Sequence, residues 1–257
     1  VRGVAKNYRD PHITDEEATC LQFVTADNQP FATLVIYPCH PEGVHPDSRD
    51  ISCDYVDALR QHIEATIGGV ALFMPGALGG MMSPDLPEPT HAEAAKMGST
   101  IAEASLAALA KQPLQPLQAV YYHRTEFAIP MQNMLFQMAA TLGLLPNLVD
   151  AEGNITSETG VIQIGDTWLA TVPGELLPRL GLQIKAELKQ AGATIAGVVG
   201  LANDELGYIL PEEDFIFPQD WLNPGKQYEE SMSIGPQTAP RLLAALRRLL
   251  SANSDET

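Results

Sequence analysis

The chain has 257 residues, 45% hydrophobic and 18% charged, enough apolar material for a sizeable core and too much for a disordered chain. Its 15 Lys plus Arg against 32 Asp plus Glu leave a formal charge of −17, which repels phosphate backbones and anionic lipid surfaces across a Debye length of about 8 Å. No nucleic-acid partner is expected, and three cysteines, Cys20, Cys39 and Cys53, supply neither a disulfide framework nor a CxxC zinc knuckle.

Val1-Arg2-Gly3-Val4-Ala5-Lys6-Asn7 has no initiating Met and no apolar signal core, so it reads as an internal start that leaves the compartment open. Apolar, β-branched runs predict strands over Thr19–Val24 and Phe31–Cys39. Helical periodicity covers Tyr55–Ile67 and stops at Gly68-Gly69, and a further strand is expected over Val70–Met74. The longest apolar stretch, Gly69 to Met82, is broken by Pro75 and several Gly and is shorter than the roughly 18 residues a membrane span needs. Pro84–Pro89 is a stiff connector. Thr90 with Glu93 forms a capping box that opens a helix over His91–Ala110.

Ala119–Phe127 predicts a strand, and the Met-rich run Met131–Leu142 a helix that ends at Gly143. Strands follow at Val161–Ile164, Thr167–Val172 and Thr194–Gly200, with helices at Leu176–Gln190 and Ala239–Leu250. This alternation predicts one α/β domain over 1–257, a mixed sheet covered by helices, with active residues on the loops that leave the strands.

Four strand exits carry ionisable or polar groups. His40 ends the run Leu34–Cys39, where a neutral imidazole can offer a nitrogen to a metal or serve as a hydrogen-bonded structural residue. His45 competes with it, but Pro41, Gly43 and Pro46 exclude a paired-His helix motif. Ser83 follows a loop with Gly76, Gly79 and Gly80, whose N–H groups can face an oxyanion; Ser before Pro is equally an ordinary turn. Glu175 precedes the helical run from Leu176, suited to a cation or to simple charge capping of the helix. Tyr208 closes Val198–Tyr208, where a phenol binds metal, donates a proton, or merely packs its ring. The acids Asp204, Glu205, Glu212, Glu213 and Asp214 lack EF-hand spacing and read as a solvated loop. Met81, Met82, Met131, Met134 and Met138 are either core or the lining of an acyl groove.

Taken in order, these segments resemble the catalytic domain of the neutral, non-lysosomal ceramidases, zinc amidohydrolases that cleave an N-acyl sphingoid amide. His40, followed by Ile51-Ser52-Cys53-Asp54, is similar to the family's zinc-binding His and the Ile-Ser-x-Asp after it. Gly80-Met81-Met82-Ser83-Pro84-Asp85 is similar to the loop that carries the family's catalytic Ser. Pro173-Gly174-Glu175 looks like its Pro-x-Glu zinc ligand. The segment from Asn203 through Gly207-Tyr208 to Pro211-Glu212-Glu213 resembles the one whose Tyr also reaches the zinc, and this match is the most specific. Gln227-Tyr228-Glu229-Glu230-Ser231 is similar to the stretch that supplies a second active-site Tyr, and Arg9-Asp10-Pro11 to an Arg-Ser-Pro whose Arg helps bind substrate.

The resemblance runs from about Asn7 to Leu250 and departs from the family in three ways. The family's other zinc-binding His and a nearby catalytic His lie upstream of the segment that aligns with Val1, so the chain would be the C-terminal two-thirds of such a catalytic domain. Glu42-Gly43 replaces Thr-Ser after the zinc His, and Met81 replaces an Asp. The family's C-terminal β-sandwich has no counterpart after Ala239–Leu250.

The resemblance implies a zinc-dependent hydrolase of the amide bond in an N-acylated, ceramide-like substrate. His40, Glu175, Tyr208 and an upstream His would hold one Zn2+, with Ser83, Tyr208, Tyr228 and Arg9 in catalytic or substrate-binding roles. A metal-free serine esterase using Ser83 with His40 or His123 is the alternative. A non-catalytic fragment that pairs with its upstream segment, or with copies of itself through open sheet edges, is another.

Overall fold

The computed structural model describes residues 1–44, 48–117, 119–145 and 149–253, and His45 lies outside them. The chain divides into two compact units, Val1–Pro116 and Leu117–Thr257.

The first unit is built on β2 (Thr19–Val24), β3 (Pro30–Tyr37) and β4 (Val70–Pro75), in the order β2-β3-β4; β1 (Ala5–Asn7) pairs apart from them with β5 (Met82–Pro84). β2 and β3 are antiparallel. Helix α1 (Tyr55–Ile67) carries the chain from β3 to β4, which run parallel, so the two strand ends open on the same edge. Tyr55, Leu59 and Ile63 recur at helical spacing and are fully buried with Val35, Tyr37, Ala71, Met97 and Ile101. Helix α2 (His91–Leu109) starts where expected, with the Glu93 N–H donating to Thr90 Oγ1 at 3.2 Å, but the reciprocal half of the capping box does not form, since the Thr90 N–H donates to the Glu88 carbonyl at 2.8 Å. The helix lies so close to α1 that a Cβ at Gly98 would stand 2.1 Å from the Tyr55 carbonyl oxygen, an approach that requires glycine.

The second unit has a mixed sheet in the order β10-β8-β7-β6, from β6 (Val120–Pro130), β7 (Asn154–Ile164), β8 (Thr167–Thr171) and β10 (Ile195–Val199). β6, β7 and β8 form an antiparallel meander, whereas β10 joins β8 in parallel through α4 (Pro178–Gln190). Helix α6 (Thr238–Asn253) packs across β6 and β7. A second pair, β9 (Glu175–Leu176) with β11 (Tyr208–Ile209), is parallel and two residues long. The remaining helices are α3 (Met134–Thr141) and the single turn α5 (Tyr228–Ser231). Among the described residues no helix is long and apolar enough to cross a membrane.

Both units have the expected mixed α/β character, and three elements start two or more residues from where they are predicted to start. The helix expected from Leu176 begins at Pro178. Proline at the first helical position forces Leu177 into an extended conformation, φ −66° and ψ 145°, and frees Glu175–Leu176 to act as a strand. Glu175 is therefore a strand residue, and the capping role considered for it does not arise. The helix expected from Met131 begins at Met134, because the Asn133 side chain accepts from Leu135 N and Phe136 N and caps it there. β7 begins at Asn154 rather than Val161. Its polar first half, Thr156-Ser157-Glu158-Thr159, hides from a hydrophobicity reading but pairs throughout with β6.

Candidate active site

In the first unit β3 delivers Pro38-Cys39-His40 at its open edge. The Tyr55 hydroxyl donates to the Cys39 carbonyl at 2.7 Å, tying the first turn of α1 to the strand exit. The His40 N–H donates to the Met82 carbonyl at 2.8 Å, which joins this exit to the one after β4. Asp54, the residue before α1, accepts from Tyr55 N at 2.8 Å and from Val44 N at 3.1 Å, so the Ser52-Cys53-Asp54 frame closes over the loop that carries His40. Burial pushes the Cys39 thiol well up, helped by Glu42 and Asp54 nearby.

Ser83 stands on β5, directly after the glycine-rich loop. Gly80 and Met81 both have positive φ, 76° and 52°, the second a strained value for a side-chain-bearing residue. This turn feeds β5 against β1, with Ser83 opposite Lys6. The Arg9 N–H donates to the Gly80 carbonyl at 3.2 Å and to Asn7 Oδ1 at 3.0 Å, which sets Arg9 beside the same turn. The Ser83 hydroxyl donates to Glu42 Oε1 and, at 3.4 Å, reaches the Met81 carbonyl. Arg9, His40 and Ser83, far apart in sequence, thus share one edge of the first unit.

In the second unit β8 runs out through Val172-Pro173-Gly174 to Glu175. The Glu175 N–H donates to the Gly207 carbonyl at 2.9 Å, and Glu175 is the register partner of Tyr208. Gly207 is indispensable to this arrangement: its φ is +74°, and a Cβ there would lie 1.8 Å from the Met232 carbonyl oxygen. The Tyr208 phenol hydrogen-bonds to the Glu175 carboxyl, and its ring meets that of Tyr228 edge-on, centroids 6.0 Å apart. Burial raises the Tyr208 phenol far above its ordinary value, reinforced by Glu175, Tyr228 and Glu229. Burial, with the charges of Glu175 and Asp204, also holds the Glu205 carboxyl above the usual range.

The acidic loop is solvated as expected, with Asp204, Glu205, Glu212 and Glu213 exposed, and it is also tied to its surroundings. Ser157 Oγ donates to Asp204 Oδ2 at 2.9 Å, the Gly207 N–H to Glu205 Oε1 at 2.9 Å, and Arg179 pairs with Glu213 and Asp214. Asn203, at φ 74°, donates to Tyr122 Oη and Glu158 Oε1, both at 3.1 Å. Asn133 donates to the carbonyls of Ser231 and Ser233 at 2.8 and 2.7 Å, fixing the turn against which Tyr208 is hydrogen-bonded. The partners of Glu42, of Glu158 and of the Asn133 amide nitrogen are not legible in the sequence because each lies far along the chain. The replacement of Thr-Ser by Glu42-Gly43 was the one local signal. Of the five methionines weighed for an acyl groove, Met82 and Met131 are core, while Met134 and Met138 are about half exposed.

Zinc favours imidazole nitrogen and carboxylate or phenolate oxygen, the donor types of His40, Glu175 and Tyr208. His40 Nε2 and Glu175 Oε2 are both closed off from solvent within their units, as ligand atoms of a dry metal site are. Glu175 and Tyr208 already stand side by side. Among the described residues no group of three or more His, Cys, Asp and Glu side chains is gathered for a metal.

No protein-family model matches the chain, and no curated protein matches it in sequence. Solved structures do. A crystal structure of neutral ceramidase from Pseudomonas aeruginosa is similar over 99% of this chain and 51% of its own, at 17% identity and a TM-score of 0.74. A ceramidase complexed with C2 is similar over 100% of this chain and 52% of its own, at 16% identity and a TM-score of 0.71. The chain spans about half the length of these structures, and along that span it has the fold of a neutral ceramidase.

Proposed function

We propose that the chain is part of a zinc-dependent amidohydrolase acting on an N-acylated, ceramide-like lipid. The observation that carries the reading is the pairing of Glu175 with Tyr208, two oxygen donors brought side by side by a two-residue strand pair in a ceramidase-like fold. His40, Glu175 and Tyr208, with a His from the sequence upstream of Val1, would hold the metal. A bound Zn2+ supplies Lewis-acid polarisation of the amide carbonyl and acidifies water.

The chain's own residues do the rest. Ser83 presents its hydroxyl at the edge of β5, beside the backbone of Gly80 and Met81. Arg9, set against that turn, offers a guanidinium to the polar head of the substrate. Tyr228, edge-on to Tyr208, closes the phenol against water and offers a second hydroxyl. The solved neighbours, whose names specify ceramidase, support the substrate class. Fatty acid released from a short-chain N-acyl sphingoid amide, by the chain together with its upstream sequence, tests the reading. Zinc-supported release that stops on chelation is expected. Release that survives chelation favours the metal-free esterase, and no release by zinc-loaded, folded protein overturns the assignment.

A further inference from the structure

Ser83 and Glu42 form a pair for which the family resemblance has no counterpart, since Glu42 stands where that family has Thr. Ser83 is 8% exposed, and its hydroxyl donates to Glu42 Oε1. Both partners are held by backbone. Ser83 is fixed by pairing with Lys6. The segment that carries Glu42 is pinned at one end by His40 N to the Met82 carbonyl and at the other by Val44 N to Asp54. Between them the Glu42 N–H donates to the His40 carbonyl at 3.0 Å. Gly43 lets this loop pass Leu86 and Asp54, because a Cβ there would stand 2.7 Å from Leu86 Cδ1. The strained Met81, two residues before Ser83, marks a backbone held in place by its surroundings.

We propose that Glu42 is the general base of a Ser83 nucleophile. A carboxylate that already accepts the hydroxyl proton leaves the Oγ lone pairs directed away from it, available to an acyl carbon. The Oγ lone pair forms the C–O bond as the O–H proton passes to Glu42. Collapse of the tetrahedral centre breaks the C–N bond, and the leaving amine takes that proton from Glu42. Water then attacks the acyl ester and gives its proton to Glu42, which returns it to Oγ as the acid departs. The sum is amide plus water to acid plus amine. The proposal rests on the reading above only in naming an amide as the substrate.

An alkyl fluorophosphonate, which phosphonylates an activated serine hydroxyl, tests the pair on the 257-residue chain, with the labelled peptide located by mass. Label is expected on Ser83 and absent in Ser83→Ala. In Glu42→Gln, which keeps the shape and a hydrogen-bond acceptor, the labelling rate is expected to fall by about 100-fold or more, with partial recovery in Glu42→Asp. Circular dichroism confirms that each variant is folded. No label on Ser83 in the folded wild type, or a Glu42→Gln rate within a few-fold of wild type, overturns the proposal. Glu42-dependent labelling without amide hydrolysis would remove the ceramide-like substrate and leave the pair standing. Amide hydrolysis unchanged in Glu42→Gln would do the reverse.

Discussion

Glu175 and Tyr208 face each other across a parallel strand pair only two residues long, the phenol hydrogen-bonded to the carboxyl. So short a pairing has little stability of its own. It persists because the backbone around it is locked: Glu175 N to the Gly207 carbonyl, Leu177 N to the Ile209 carbonyl, Tyr208 N to the Met232 carbonyl. The two oxygen donors of the proposed metal site are thus placed by main chain and not by their own flexible side chains.

Metal content is the test of the proposed ligand set. Removing a ligand costs more affinity than losing an outer-shell partner, which is worth roughly 10–100-fold. His40→Ala and Glu175→Ala are each expected to lose zinc by elemental analysis after gel filtration, with far-ultraviolet circular dichroism unchanged. Undiminished stoichiometry in either variant removes that residue from the ligand set.

Gly207→Ala strikes the same site through the backbone. A Cβ there meets the Met232 carbonyl oxygen at 1.8 Å in a left-handed conformation. Overpacking and strain together are expected to destabilise the fold by about 2–4 kcal/mol, seen as a lower urea midpoint, and to weaken zinc binding as Tyr208 shifts. A midpoint equal to wild type would mean the turn yields freely.

Asn133→Ala removes the cap of α3 and leaves two buried carbonyls, on Ser231 and Ser233, without their donor. The expected loss is about 2–4 kcal/mol. Asn133→Asp keeps the cap acceptor but sets a buried carboxylate oxygen against the two carbonyls, so at neutral pH it is expected to be no more stable than alanine, and a stability close to wild type would contradict the donated bonds.

Alkaline pH is expected to weaken the fold. Burial, first among the causes, raises the phenols of Tyr37, Tyr55 and Tyr208 above the ordinary tyrosine value of about 10. The folded state therefore keeps protons that the unfolded chain releases. The stabilisation is complete below about pH 10 and is lost as pH rises from there toward the folded values. Urea midpoints falling above about pH 10, with a shallower fall in Tyr55→Phe, are the expected result. Equal slopes in the two proteins would contradict it.

The residues of Tyr55–Ile67, Thr19–Val24 and the Thr90 cap by themselves determined helix, strand and start, because spacing and capping are local effects. Gly207, Tyr208 and Glu175 were likewise visible as a motif. The partners were not. That Ser83 meets Glu42, that Asn133 holds Ser231 and Ser233, and that Pro178 turns Glu175 into a strand residue beside Tyr208 were decided only by the tertiary structure. Hydrogen bonds between residues many positions apart depend on which strands lie adjacent, and strand order is set by burial summed over a whole unit rather than by any window of the chain.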